Sequence, residues 1–221
     1  MTSQRQLGER AVVLGGSMAR LLAAGVLSDF YRTVTVVERD VLPDSPENRR
    51  GIPQGRHVHA LLGRGGQVID EIFPGLLAEW AADGGEALDD GDFSRVYVSI
   101  GGHLMVRSGR ARQRDAMMYL SSRPFLEYHV RRRLRALPNV TLLDGHDIVD
   151  LTAEPSGGRV TGVMVAGREH GERRWLGADL VVDATGRGSR TPAFLETIGY
   201  QRPFEDQVAM RTCYVSRHLC M

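Results

Sequence analysis

The chain has 221 residues, of which 42% are hydrophobic and 25% are charged, and its formal net charge is +1. This composition is ordinary for a folded globular protein, and it excludes intrinsic disorder, collagen and coiled coil. The small net charge excludes a strong overall attraction to nucleic acid or to a membrane surface. A chain of this length forms one large domain or two small ones.

The cysteines and the apolar segments indicate the cellular setting. The two cysteines, Cys213 and Cys220, provide neither a disulfide framework nor the spacing of a metal site. The first ten residues are polar and lack the apolar core of a signal peptide. No apolar run approaches the ~20 residues that cross a bilayer. We therefore expect a cytoplasmic protein with no integral membrane segment and no bound metal.

A βαβ unit is predicted at the start of the chain. The apolar run at 11–14 predicts a strand, the pattern at 21–27 predicts a helix, and a glycine-rich turn separates them. The β-branched run at 33–37 is continuous, as is typical of a strand buried on both faces of a parallel sheet. This second strand ends at Glu38.

The later elements predict an α/β fold with a central parallel sheet and an antiparallel β meander. An ordered loop is expected over 41–56, and the arginines at 131–135 are expected on a solvated helix face. The remaining predictions, in chain order, are helices at 57–73 and 76–82, a hairpin of 96–100 with 103–107, a helix at 124–137, a strand at 140–143, a meander of 147–153, 160–165 and 173–176, and a buried strand at 180–182.

The first glycine turn predicts a dinucleotide-binding site. Glycines let the backbone approach a pyrophosphate, and the helix N-terminus offers it free N–H groups. Glu38 lies 23 positions after Gly15 (38 − 15), close to the ~20 expected of the acid that binds a ribose. In the G-x-G-x-x-G pattern, however, Ser17 holds the second glycine position and Arg20 the third. A βαβ unit without a ligand therefore remains the alternative.

Two further segments are candidates for anion binding. The run of Arg, Gly and His at 49–59 is suited to phosphate, because Arg forms paired hydrogen bonds to phosphate oxygens. A solvated loop is the equally supported alternative. In Ser122-Arg123-Pro124, an arginine stands beside a helix N-terminus, where an anion is favoured.

The motifs together resemble the flavin-dependent monooxygenases of the aromatic hydroxylase and epoxidase type, in particular the bacterial branch that includes polyether epoxidases. The matching segments are residues 12–19, 36–40, 50–57, 122–124 and 183–189. The resemblance implies a Rossmann-like FAD-binding fold and an enzyme that uses FAD, NAD(P)H and O2. Its expected substrate is a small hydrophobic, aromatic or polyketide molecule, and hydroxylation or epoxidation is the expected reaction.

The resemblance also implies a set of cofactor-binding residues, while the catalytic residues stay unknown. The FAD pyrophosphate would lie along the glycine turn of Gly15, Gly16, Ser17 and Met18. The adenosine ribose would bind Glu38, with Arg39 beside the adenine, and the phosphates or ribityl chain would lie near Arg50 and Arg123. The flavin would lie near Asp183 and Gly186.

Departures from the family pattern keep alternatives open. Relatives carry glycine at the position of Arg20, and Thr185 replaces an aspartate linked to NADPH use. Relatives also continue into a second Gly-Asp motif, so we expect a chain truncated at the C-terminus. The expected organisation is an FAD-binding domain over 1–200, with part of the substrate region around 90–120, and an atypical tail over 201–221. The alternatives are a flavin-dependent reductase of the geranylgeranyl-reductase and halogenase-like group, and an inactive nucleotide-binding fragment.

Overall fold

The computed structural model describes residues 6–88, 92, 94, 96–107 and 118–217. The strands are β1 (Gly8–Leu14), β2 (Tyr31–Val37), β3 (Val58–Leu62), β4 (Glu86–Leu88), β5 (Ser99–Ile100), β6 (His103–Leu104), β7 (Met118–Ser122), β8 (Val140–Leu143), β9 (His146–Ala153), β10 (Val160–Gly167), β11 (Arg173–Gly177) and β12 (Leu180–Asp183). The helices are α1 (Met18–Leu27), α2 (Gly63–Ile72), α3 (Leu76–Ala82), α4 (Arg123–Arg135) and α5 (Thr191–Thr197).

A four-stranded parallel sheet forms the centre of the molecule, in the order β12-β1-β2-β8. Helix α1 connects β1 to β2, so the predicted βαβ unit is confirmed. Because successive side chains of a strand point to opposite faces, Val13 and Val36 pack against the helices while Val12 and Val37 pack against the meander. The sheet is therefore covered on both faces, and the α/β fold is confirmed.

The covering layers include two antiparallel sheets. The meander pairs in the order β11-β10-β9, as the sequence predicts, and it packs on one face of the central sheet. A second sheet has the order β3-β7-β4. The predicted hairpin is also confirmed by the pairing of β5 with β6. Gly101 and Gly102 between them have φ of +59° and +85°, which the tight two-residue turn requires.

The helix predicted over 57–73 is wrong in its first part. Residues 58–62 form β3, and the helix begins only at Gly63. Strand β3 pairs along its whole length with β7, which is about sixty residues further along the chain. That long-range ladder satisfies the backbone of β3 and overrides the local helical pattern.

Parts of the predicted organisation lie outside the described residues. The stretch around 90–120, assigned to the substrate region, includes residues 108–117, and Cys220 belongs to the undescribed end. Residues 201–217 contain no helix or strand and are almost entirely exposed. None of the helices in the described ranges combines the length and the hydropathy needed to cross a membrane.

Leu21 tests the contact between α1 and the central sheet. Its side chain is fully buried in the larger core cluster. We expect Leu21→Ala to lower the free energy of unfolding by about 2–5 kcal/mol, because the change leaves a cavity. Leu7→Ala is the matched control, since Leu7 is 62% exposed and should change the value by less than about 0.5 kcal/mol. Equal effects of the two substitutions in urea unfolding would contradict this packing.

Candidate functional site

The carboxyl ends of β1, β2 and β12 meet beside the N-terminus of α1. In open α/β sheets this edge is where ligands bind. Gly15 makes the turn from β1 to α1 with φ of +99°, and its N–H donates to the Val37 carbonyl at 2.5 Å. A cavity of about 640 Å³ opens here, lined by the ends of these strands, by β9 and by α5. Its volume lies within the range of cofactor pockets, ~300–1,000 Å³.

The Glu38 carboxylate is buried at this edge of the sheet, with 4% exposure. It accepts a short hydrogen bond from the Gly16 N–H and another from the Asp40 N–H at 3.0 Å. The guanidinium groups of Arg49 and Arg20 approach it at 3.4 and 3.8 Å. A buried carboxylate is costly unless it is paired and hydrogen-bonded, and Glu38 meets both conditions.

Arg20 lies across the glycine turn. Its Nε donates to the Ala184 carbonyl at 2.5 Å, while Nη1 approaches Glu38. A Cβ atom on Gly15 would overlap the Arg20 guanidinium, so the space that this glycine leaves free is occupied by Arg20. Burial lowers the pKa of Arg20, and the Glu38 charge opposes that change.

A buried ion pair between Arg49 and Glu127 contacts the glycine turn. Arg49 donates to Glu127 Oε1 at 2.8 Å and to the Gly16 carbonyl at 2.5 Å. Its side chain is 8% exposed and that of Glu127 is 4% exposed. The neighbouring Arg50, which the family resemblance assigns to the cofactor, lies exposed in the loop. Residue types alone did not distinguish which of two adjacent arginines points inward.

Helix α4 contributes a row of charges at i, i+4 spacing, namely Arg123, Glu127 and Arg131. The prediction of a solvated face is wrong for Arg131, which is 3% exposed. It approaches Glu127 at 3.6 Å and donates to the Pro43 carbonyl at 2.7 Å. Burial lowers the pKa of Arg131, whereas Glu127 opposes this. Sequence reasoning missed Glu127, although residues four apart meet on a helix and this spacing was a usable signal.

Arg123 connects the start of α4 to the glycine turn. Its Nη2 donates to Ser17 Oγ at 3.2 Å, and that hydroxyl donates to Glu127 Oε2 at 3.0 Å. The Arg123 Nε is buried and approaches Glu127 Oε2 at 3.8 Å, but it has no hydrogen-bond partner among the described residues. Burial lowers the pKa of Arg123, and Glu127 opposes the shift. An unsatisfied buried donor is costly, so this atom is suited to an additional acceptor.

Asp183 is held by hydroxyl groups at the end of β12. Thr185 donates to Oδ1 through its N–H at 2.7 Å and its Oγ1 at 2.6 Å, and Thr191 Oγ1 donates to Oδ2 at 2.5 Å. Ser189 Oγ forms a further short hydrogen bond. Burial acts to raise the pKa of Asp183, but these hydrogen bonds outweigh it and hold the pKa below its ordinary value.

The predicted cofactor residues either line one of two cavities or lie outside both. Gly15, Glu38, Arg39 and Asp183 line the 640 Å³ cavity. Arg39 is mostly exposed there and approaches Asp147 at 3.6 Å. Met18 and Arg123 line a second, mainly apolar cavity of about 410 Å³. Gly16 and Ser17 form the glycine turn itself. Gly186 lies exposed in the turn after β12, with φ of +70°. Within the described ranges no group of three His, Cys, Asp or Glu side chains is arranged to hold a metal.

The chain is similar to a curated protein and to many solved structures. No family model matches it. Protein Rv3254 of Mycobacterium tuberculosis is 42% identical over 212 residues, which cover 94% of this chain and 44% of that protein. The chain thus spans less than half the length of this relative.

Solved structures of flavin enzymes share the fold. PqsL of Pseudomonas aeruginosa, a probable FAD-dependent monooxygenase, has a TM-score of 0.63 and 20% identity over 89% of this chain and 48% of its own. The p-nitrophenol 4-monooxygenase PnpA of Pseudomonas putida has a TM-score of 0.61 and 21% identity over 85% of this chain and 44% of its own. The myxobacterial chondrochloren halogenase CndH, an FAD-dependent halogenase, has a TM-score of 0.59 and 20% identity over 83% of this chain and 38% of its own. The fold is therefore the one found in FAD-dependent monooxygenases and halogenases.

Glu127 tests the buried ion network. We expect Glu127→Gln to lower the free energy of unfolding by about 3–5 kcal/mol, because it removes the carboxylate that the buried Arg49 and Arg131 share. Glu71→Gln is the matched control, since the Arg64–Glu71 pair is 3.0 Å apart but largely exposed and should contribute at most about 1 kcal/mol. Urea unfolding of both variants gives the comparison, and similar small losses would contradict a buried network.

Asp183 tests the effect of its hydroxyl partners through pH. Because its pKa is lowered in the folded chain, its carboxylate stabilises the fold above the unfolded pKa of ~3.9, and this contribution is lost as the pH falls through the folded value. The stability difference between the unsubstituted protein and Asp183→Asn should therefore be constant near neutral pH and shrink in acid. Unfolding curves at several pH values measure this, with Asp29→Asn, at an exposed position, as the control. A difference that grows in acid would contradict the assignment.

Proposed function

We propose that the chain binds FAD, with its adenosine diphosphate part in the 640 Å³ cavity, as part of a flavin-dependent oxidoreductase. The observation that carries this proposal is the buried Glu38 carboxylate. It lies at the end of β2, hydrogen-bonded to the Gly16 N–H, beside the cavity at the strand ends. A carboxylate in this position accepts hydrogen bonds from ribose hydroxyls.

The residues around the cavity fit the cofactor with one exception. Gly15 has a positive φ, which residues with a side chain rarely adopt, and its lack of a side chain allows a ligand to approach the turn closely. Outside this cavity, Arg123 lines the neighbouring 410 Å³ cavity, where its guanidinium is a candidate donor to a phosphate or ribityl oxygen. The exception is Arg20, whose guanidinium covers Gly15 where the pyrophosphate is expected. Binding of FAD therefore requires Arg20 to move.

A monooxygenase that uses NAD(P)H and O2 is the proposed activity of the complete enzyme, with a small hydrophobic, aromatic or polyketide substrate. Bound FAD supplies the redox chemistry, whereas the protein binds and orients the cofactor and the substrate and keeps water out of the site. In this chain the turn and Glu38 would position the dinucleotide, and Asp183 with its hydroxyl partners would fix the return of β12 to the site. The fold shared with the solved flavin enzymes supports the proposal, as do the motifs of the glycine turn and of the segment that follows β12. We further propose that residues 1–200 form the FAD-binding domain.

A flavin-dependent reductase is the second candidate. The residue that follows Ala184 is Thr185, and both its N–H and its hydroxyl are engaged with Asp183. This position carries an aspartate linked to NADPH use in the monooxygenases that the sequence resembles. Analysis of products formed under labelled O2 separates the two activities, since only a monooxygenase transfers a labelled oxygen atom to the substrate.

Titration with FAD tests the binding site. We expect the 221-residue chain to quench flavin fluorescence on binding, and ADP to compete for the site. Glu38→Gln should weaken FAD about tenfold to a hundredfold, because hydrogen bonds to a charged acceptor contribute ~1.5–3 kcal/mol. Glu9→Gln provides the matched control, since the Glu9 side chain is 61% exposed on β1.

Two results would contradict the proposed site. The first is an absence of FAD and ADP binding in both the unsubstituted chain and Arg20→Gly, with each shown to be folded by circular dichroism. The second is FAD binding that Glu38→Gln and Glu9→Gln leave equally unchanged, which would locate the cofactor elsewhere.

A further inference from the structure

Arg20 occupies the position from which a dinucleotide would be held. It stands in the first turn of α1, and long helical side chains point back toward the helix N-terminus. Its Nε, Cδ and Cζ atoms fill the space beside Gly15 that a Cβ atom would otherwise reach. The Arg20 side chain thus lies against the glycine turn, next to the helix end whose free N–H groups attract anions.

The Arg20 guanidinium is fixed in place by both neighbouring strands. The hydrogen bond to the Ala184 carbonyl, at 2.5 Å, ties it to the end of β12. The ion pair with Glu38, at 3.8 Å, ties it to the end of β2. Its side chain is 16% exposed, so both contacts are largely shielded from solvent and are stronger than they would be at the surface.

We propose that Arg20 is an autoinhibitory residue that holds the dinucleotide site closed and lowers its affinity for the FAD diphosphate. This inference rests on the proposed function. Entry of a diphosphate requires the Arg20 guanidinium to leave Ala184, and binding of the ribose requires Glu38 to exchange its ion pair for hydroxyl hydrogen bonds. The binding free energy is reduced by the interactions that must be broken.

A role for Arg20 as a direct phosphate ligand is the competing interpretation. Arg20 lines the cavity, but its Nε donates to a carbonyl and its Nη1 approaches a carboxylate, so these two groups would have to leave their partners to contact a phosphate. A second cation, Arg49, remains beside Glu38 and the Gly16 carbonyl without Arg20. The loss of one positive charge would therefore leave the site with its buried arginine, while the turn becomes accessible.

Affinity measurements on three variants test the proposal. Arg20→Ala removes the guanidinium and keeps a good helix former, and Arg20→Gly restores the residue that the glycine pattern expects. Arg32→Ala is the control for charge, because the Arg32 side chain is 72% exposed at the opposite end of β2. Dissociation constants for FAD come from fluorescence quenching, and the rise in thermal midpoint with ADP gives a second readout without the flavin.

We expect Arg20→Ala and Arg20→Gly each to bind FAD about ten- to a hundredfold more tightly than the unsubstituted chain, as expected from releasing a hydrogen bond and an ion pair of a charged group. ADP should raise their thermal midpoints more than that of the unsubstituted chain. Arg32→Ala should leave both values unchanged.

Three results would overturn the proposal. Weaker binding by both Arg20 variants would identify Arg20 as a phosphate ligand. Measurable binding that is equal in all chains would show that Arg20 does not compete, while leaving the proposed function intact. An absence of FAD and ADP binding in every folded variant would overturn both this inference and the proposed function.

Discussion

The Glu38 carboxylate is buried where three parallel strands end, and a charge in such a place requires partners. The Gly16 and Asp40 N–H groups and the guanidinium groups of Arg49 and Arg20 provide them. One of these contacts comes from the glycine turn itself, so Glu38 helps to hold the turn in place. The same carboxylate is the group that a ribose would contact, so the stability of the turn and the proposed binding site depend on one residue.

The charges around this site form a continuous network rather than separate pairs. Arg49 connects Glu38 to Glu127, and Glu127 is reached by Ser17 and by the arginines of α4. The glycine turn is therefore supported by a helix that lies more than a hundred residues away in the sequence. This arrangement positions the turn before any ligand arrives, which reduces the ordering cost of binding.

Local patterns predicted the elements whose environment is fixed by their own sequence. The strand, glycine turn and strand around Glu38, and the meander after it, follow from periodicity and turn residues. Long-range pairing explains the failure at residues 58–62, where β7 provides the partner strand. Similarly, the inward position of Arg49 depends on its contacts with Glu127 and the Gly16 carbonyl, which are distant in the sequence. The i, i+4 spacing indicates the Arg131–Glu127 pair but not its burial.

A crystal structure of the chain with bound ADP tests the account most directly. The account predicts that the diphosphate lies against Gly15 and Ser17, that a ribose hydroxyl contacts Glu38, and that the Arg20 guanidinium has left the Ala184 carbonyl. A complex in which Arg20 keeps that hydrogen bond while the nucleotide binds away from Glu38 would contradict it.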